Sequence, residues 1–377
     1  MENHTKAFLK AVTPPLLVSL ARRLSAADRR VDLASWWASF RSSGAIPTEL
    51  RLMVDHYLTT TDCRESSDYW NWLCRQNIEQ IATHGLGNFR QTVAKNYFTW
   101  IGAGFDAPYV QNLVQEVKTS GASAALAQVF KKHDLLTMDE SVQYNLMTVL
   151  LYDYCCKTDG YDLLARIDEP TFGNPPGICI DGKEISQDLL NSLLEFQSVT
   201  KVLAPETLHN VIEIGAGSGR TAYCFLRLLP ELKYVVVDIP PALFISQSFL
   251  TSQFPGRRAF RFRPFESFDQ IVDEFAAAEV AFLTPDQLPL LPGGRFDLFL
   301  AIDCLHEMKR ARVAYYFDQA DRLADNIYFK CWESTEIPFD KIVWTAADYP
   351  VRPTWRPEFK RPCKVPGGFF EAMFKIR

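Results

Sequence analysis

The chain has 377 residues, 47% of them hydrophobic and 13% aromatic, and a formal net charge of −5. That length exceeds one average domain, and the apolar share excludes a disordered or fibrous chain. The acidic balance argues against a nucleic-acid partner, because phosphate binding needs a concentrated basic face.

In chain order, Met1-Glu2-Asn3-His4 has neither the basic start nor the apolar stretch of a signal peptide. No apolar run approaches the roughly 20 residues that span a bilayer, so no membrane association is expected. Nine cysteines are scattered without a Cys-x-x-Cys pair, and Cys155 adjoins Cys156. This usage predicts reduced thiols, a cytoplasmic location and no metal site.

Up to about residue 200, helical spacing dominates. Leu16, Leu17, Leu20, Ala21 and Leu24 form one apolar stripe, and Leu146, Leu150 and Leu151 with Tyr144 and Tyr154 form another. Ser67 reads as the cap of a helix carrying Trp70 and Trp72, which are expected to pack rather than bind. Three prolines and two glycines within Glu169–Gly177 break the helical pattern and predict an ordered loop. Ser186 then caps a helix that turns Leu189, Leu190, Leu193, Leu194 and Phe196 to a core.

From about 208 the pattern changes. Apolar runs at 210–214, 233–237, 280–283, 296–302 and 326–331 have strand length, with helical stretches between most of them. That alternation predicts an α/β fold around a mostly parallel sheet covered on both faces. Arg257, Arg258, Arg261 and Arg263, interleaved with Phe260 and Phe262, read as a half-exposed strand. Gly367-Gly368 reads as a turn into a last strand. Two domains are therefore expected: a helical 1–200, serving as a cap, a substrate domain or a homodimer interface, and a ligand-binding 201–377.

The strongest motif is Val211-Ile-Glu-Ile-Gly-Ala-Gly-Ser-Gly-Arg220, a strand that runs into glycines 215, 217 and 219 and then into a helix. Glycine suits a backbone that turns tightly and approaches a ligand with no side chain between. A dinucleotide fingerprint would need glycine at 220, which is arginine. The second strand ends on Asp238, 19 residues after Gly219, where a carboxylate can accept hydrogen bonds from ribose hydroxyls.

Glu213 with the three glycines resembles the first motif of class I methyltransferases, which bind S-adenosyl-L-methionine. More widely, Glu213–Arg220, Tyr234-Val-Val-Val-Asp-Ile-Pro-Pro-Ala-Leu243 and Phe296–Met308 resemble the bacterial sugar O-methyltransferase family, as do Asn96-Tyr-Phe98, Phe172-Gly-Asn-Pro175 and Ile185–Glu195. The likeness spans about 65–377. It implies a Rossmann-like sheet preceded by a large helical domain, S-adenosyl-L-methionine as cofactor and a small-molecule acceptor. The cofactor set would be Glu213, Gly215, Gly217, Gly219, Asp238 and Ile239. Asp286 or Gln287, past the third strand, would bind the adenine amino group or simply form a turn.

Methyl transfer needs alignment, exclusion of water and a group that handles one acceptor proton. Past the fourth strand, His306 is the candidate base, with Asp303 and Glu307 beside it. Where the family pattern suggests a small polar residue, this chain has Asp303-Cys304. Asn174, Tyr97, Trp332, Glu333 and Glu336 are the candidate acceptor residues. O-methylation of a sugar or a hydroxylated natural-product intermediate is the leading expectation. The alternative is N-methylation of an amino-acid-like or guanidinium substrate held by Asp303, Glu307, Glu333 and Glu336. A non-catalytic scaffold is the remote third reading.

Overall fold

Five apolar runs form the middle of one eight-stranded sheet, in the order β11-β12-β8-β7-β3-β4-β6-β5. The computed structural model describes residues 32–42, 45–60, 66–91, 108–119, 140–160, 162–337 and 339–377. The strands read from the sequence are β3 (Asn210–Ile214), β4 (Lys233–Val237), β6 (Val280–Leu283), β7 (Leu298–Ile302) and β8 (Asn326–Trp332). These run parallel, with a short β5 (Ala259–Phe260) at one edge. At the other edge β12 (Phe369–Lys375) returns antiparallel to β8 and pairs with β11 (Arg356–Pro362).

Each central strand buries both faces, which is why these segments are continuously apolar rather than alternating. Val211, Tyr234, Val236 and Phe282 face one core, while Ile212, Val235, Val237 and Phe299 face the other. This is the expected Rossmann-like α/β arrangement, preceded by helices.

Those helices are α1 (Leu33–Phe40), α2 (Thr48–Thr59), α3 (Asp68–His84), α4 (Pro108–Thr119), α5 (Glu140–Thr158) and the short α6 (Leu163–Arg166). Ser67 caps α3 as expected, its side chain accepting from the Trp70 N–H at 3.2 Å. The stripe at Leu16–Leu24 lies outside the described residues. The helical region also holds a hairpin that the sequence reading omits, β1 (Ile178–Ile180) with β2 (Lys183–Ile185). Asp181 and Gly182 turn it at φ 51° and 81°, the left-handed conformations that an Asp-Gly pair favours in such turns.

Helix α7 (Gln187–Thr200), capped by Ser186, is buried along most of its length between α5 and α8 (Arg220–Leu228). α9 (Ala242–Gln253) follows β4, α10 (Val272–Ala277) precedes β6, and α11 (Arg310–Leu323) covers the opposite face. The Arg257–Arg263 run is strand only at β5. Phe260 and Phe262 point inward, and Arg257 donates to the carbonyls of Leu226, Pro230 and Leu232. A second hairpin, β9 (Ser334–Glu336) with β10 (Val343–Thr345), completes the fold.

Candidate active site

The chain runs from β3 outward to β4 and β6, then returns to lay β7 on the other side of β3. Loops that leave β3 and β7 therefore diverge, and a crevice opens beyond their carboxyl ends. At its base the two loops touch. A Cβ on Gly215, which has φ +64°, would lie 2.5 Å from the Cβ of Cys304, so no larger residue fits. The Cys304 thiol donates to the Ile214 carbonyl at 3.4 Å, fastening the same junction.

The crevice encloses about 720 Å³ of space open to solvent. Gly215, Gly217, Asp238 and Ile239 line its floor. The Asp238 carboxylate accepts from the Gly217 N–H at 2.8 Å and from the Ile239 N–H at 2.7 Å. Each oxygen keeps a lone pair for a ligand hydroxyl. Burial pushes the Asp238 carboxyl up to about 7, against the pull of these two donors.

Helical residues close the top: Tyr57, Thr60, Ser66, Ser67 and Trp70 line the crevice from α2 and α3. Met308, Lys309, Arg312 and Tyr316 line it from the start of α11. None of these was singled out as a ligand contact from the sequence, and Trp70 was read as packing. Trp70 does both, being buried and lining the crevice. Several bonds tie this roof to the sheet domain. His56 meets Asp286 at 2.8 Å, Cys74 donates its thiol to the Pro240 carbonyl at 3.0 Å, and Asp340 accepts from the Asp68 and Tyr69 N–H groups.

Of the expected cofactor residues, Gly215, Gly217, Asp238, Ile239 and Asp286 converge here. Gly219 acts one step away, starting α8 at φ +85° and packing against Ser246 and Leu250 of α9. Glu213 sits deep in the sheet and accepts from the Tyr234 hydroxyl at 2.9 Å. Burial pushes its carboxyl up to about 8. Gln287 is turned away. Its amide oxygen accepts from the Thr284 N–H and its nitrogen donates to the Arg263 carbonyl, which makes it a turn-former.

The residues past β7 divide. Asp303, at φ +54°, lies in a buried ionic network rather than on the crevice wall. Arg220 grips Glu195 through two hydrogen bonds of 2.7 and 3.0 Å and stands 3.6 Å from Asp303, while Lys330 donates to Glu195 at 2.9 Å. The sequence signal for this network was Lys330, an ammonium inside an otherwise apolar strand. His306 and Glu307 are buried beneath the crevice lining rather than on it; His306 is 5% exposed, with Nδ1 lacking a hydrogen bond and Nε2 3.9 Å from a Glu307 oxygen. Burial holds its imidazole down near 3, so it is neutral at ordinary pH.

The expected acceptor residues do not gather at the crevice. Tyr97 lies outside the described residues. Asn174 bonds Asn88 and takes a bond from Gln91 on its carbonyl. Trp332 packs on Phe369 with ring centroids 4.0 Å apart and planes tilted by 34°, Glu333 is exposed, and Glu336 pairs with Val343 in a hairpin. The four carboxylates expected to cradle a cation therefore do not converge.

No family model matches the chain, and no curated protein matches it. Among solved structures, the mitomycin 7-O-methyltransferase MmcR is 12% identical, over 91% of this chain and 96% of its own, with a TM-score of 0.35. A SAM-dependent methyltransferase from Aquifex aeolicus is 13% identical, over 48% of this chain and 93% of its own, with a TM-score of 0.29. At such identities and TM-scores these are likenesses only, and the chemistry of the site must come from its own residues.

Proposed function

We propose that this protein is an S-adenosyl-L-methionine-dependent methyltransferase that acts on a hydroxyl of a small polar molecule, a sugar or hydroxylated natural-product intermediate. The carrying observation is the Asp238 carboxylate, held by the Gly217 and Ile239 N–H groups on the floor of a crevice at the strand-order reversal. That donor set suits a nucleoside with a free ribose diol. The glycine floor admits it closely, Asp238 takes the hydroxyls, and Asp286 is within the same crevice for the purine amino group. Tyr57, Trp70, Met308 and Tyr316 supply apolar and aromatic walls. When bound, the cofactor supplies a methyl group made electrophilic by its sulfonium.

The protein's part is then to position the acceptor, keep water out and move one proton. His306 is the proposed base. Burial makes the free imidazole a weak base, so the Glu307 carboxylate 3.9 Å away, together with the bound acceptor, must stabilise the imidazolium that forms when it takes the hydroxyl proton. Drawn over bound ligands, the roof from α2 and α3 would exclude water from the crevice. O-methylation is favoured over N-methylation of a cation because Asp303 faces Arg220 and Lys330, while Glu333 is turned to solvent.

Calorimetry tests the reading. Wild type should bind S-adenosyl-L-methionine, and Asp238→Ala should weaken binding at least tenfold, about 1.4 kcal/mol. His306→Ala should retain binding and lose O-methylation of hydroxylated acceptors. Absence of binding by folded wild type would sink the methyltransferase reading in favour of a scaffold.

A further inference from the structure

A second crevice, of about 1010 Å³ and open at its rim, lies on the side of the sheet between α5, α7 and the β11–β12 edge. It shares no lining residue with the first. Its floor is unusual. Tyr328, Lys330 and Glu371 stand on the face of central strands β8 and β12, where a sheet covered by helices ordinarily presents apolar side chains.

Inside, the charges cancel in pairs. Lys330 donates to Glu195 at 2.9 Å, while Glu371 accepts from Arg361 at 2.8 Å and from the Tyr328 hydroxyl at 3.0 Å. Gln197 of α7 also lines the space. It is 3% exposed, and its side-chain amide makes no hydrogen bond among the described residues. Facing the open space, that amide is free to donate to and accept from a polar ligand without breaking a bond within the protein. At the rim the balance is positive. Lys201 has no acidic partner among the described residues, and Lys364 stands 3.8 Å from Glu116 while remaining mostly exposed.

We infer that this crevice is a second ligand site for an anionic polyol: a hydroxylated body bonded by Gln197 and the paired polar groups within, its phosphate or carboxylate at Lys201 and Lys364. Both donors and acceptors line the crevice, as a polyol requires, and the ammonium groups of Lys201 and Lys364 sit at its mouth. The site does not depend on the methyl-transfer reading.

The test is titration calorimetry on the full chain with glucose 6-phosphate, glucuronate and gluconate, and with glucose and inorganic phosphate as half-ligands. At least one anionic polyol should bind wild type more tightly than either half-ligand. Gln197→Ala and Lys201→Ala should each raise its Kd tenfold or more, while Asp238→Ala, in the other crevice, should leave it unchanged. If Gln197→Ala fails to fold, Lys201→Ala on the exposed rim still decides. Three outcomes overturn the site: no binding by any of the three compounds, equal binding by inorganic phosphate (an adventitious ion only), or binding lost in Asp238→Ala but kept in Lys201→Ala.

Discussion

Asp238 carries two opposing influences: burial, which disfavours its charge, and two backbone donors, which favour it. With its carboxyl up to about 7 against an ordinary 3.8, the folded protein holds a proton through a window where the unfolded chain has released it. Stability contributed by the neutral form is thus lost as pH climbs through that window. A ribose diol donates to the ionised form, so cofactor affinity should rise with pH up to about 7 and then level off. Calorimetry between pH 5.5 and 8.5 should show Kd worsening about tenfold per unit below that point, and Asp238→Asn should flatten the profile. His306 runs the other way. Its imidazole, held near 3 by burial, stays neutral in the fold, while the unfolded chain takes a proton below about 6.5. Stability is therefore lost as pH falls from 6.5 toward 3. The gap between urea midpoints at pH 7 and pH 5 should narrow in His306→Leu. Asp238 stood out in the sequence because it directly follows a strand, β4, at the crevice side of the sheet, whereas His306 lies four residues beyond β7 and off the crevice lining. Gln287 takes the turn role that the sequence left open, and Asp303 sits off the crevice because the cations beside it, Arg220 and Lys330, come from other elements and leave no local trace.

At the level of elements, the loop from Glu169 to Gly177 is held by a pair the sequence does not advertise. Arg90, just past α3, donates to Glu169 at 3.0 Å and stands 4.0 Å from Asp188 in α7, with both arginine and glutamate side chains 2% exposed. Glu169 also accepts from the Ser186 N–H, so one carboxylate joins the loop to the cap of α7. Arg90→Met would leave buried carboxyls uncompensated and should destabilise by about 3 kcal/mol at pH 8. At pH 6 the loss should shrink, because burial already raises the Glu169 carboxyl to about 7 and it can take up a proton. Chemical denaturation at the two pH values checks this. Strands buried on both faces declared themselves by composition, as did α7 through its serine cap and leucine spacing. β11 did not. Its Arg-Pro-Glu-Phe-Lys-Arg-Pro sequence is the charged, proline-flanked kind that an exposed edge permits, indistinguishable from a loop until its partner β12 is known. The arms of the β1–β2 hairpin, three residues each, are too short to show alternation, and only Asp181-Gly182 marked the turn.

Across the whole molecule, the helical region and the sheet domain meet over the glycine floor. His56 to Asp286, Cys74 to Pro240, and Asp340 to the start of α3 fasten the two together around the crevice. Cofactor binding should therefore slow hydrogen exchange in α2 and α3 as well as in residues 215–219. Protection confined to the glycine loop would mean that the roof takes no part. His56→Ala, which removes the ring that holds Asp286, should weaken both the binding and the added protection of α2. Where the fastened roof must part further to seat a whole ligand, it also sets a clock. A ligand that must wait for an opening cannot associate faster than the opening itself. In stopped-flow mixing, the observed rate should climb with cofactor concentration and then reach a ceiling. His56→Ala, with one fastening gone, should raise that ceiling and shorten the residence time of whatever the crevice holds.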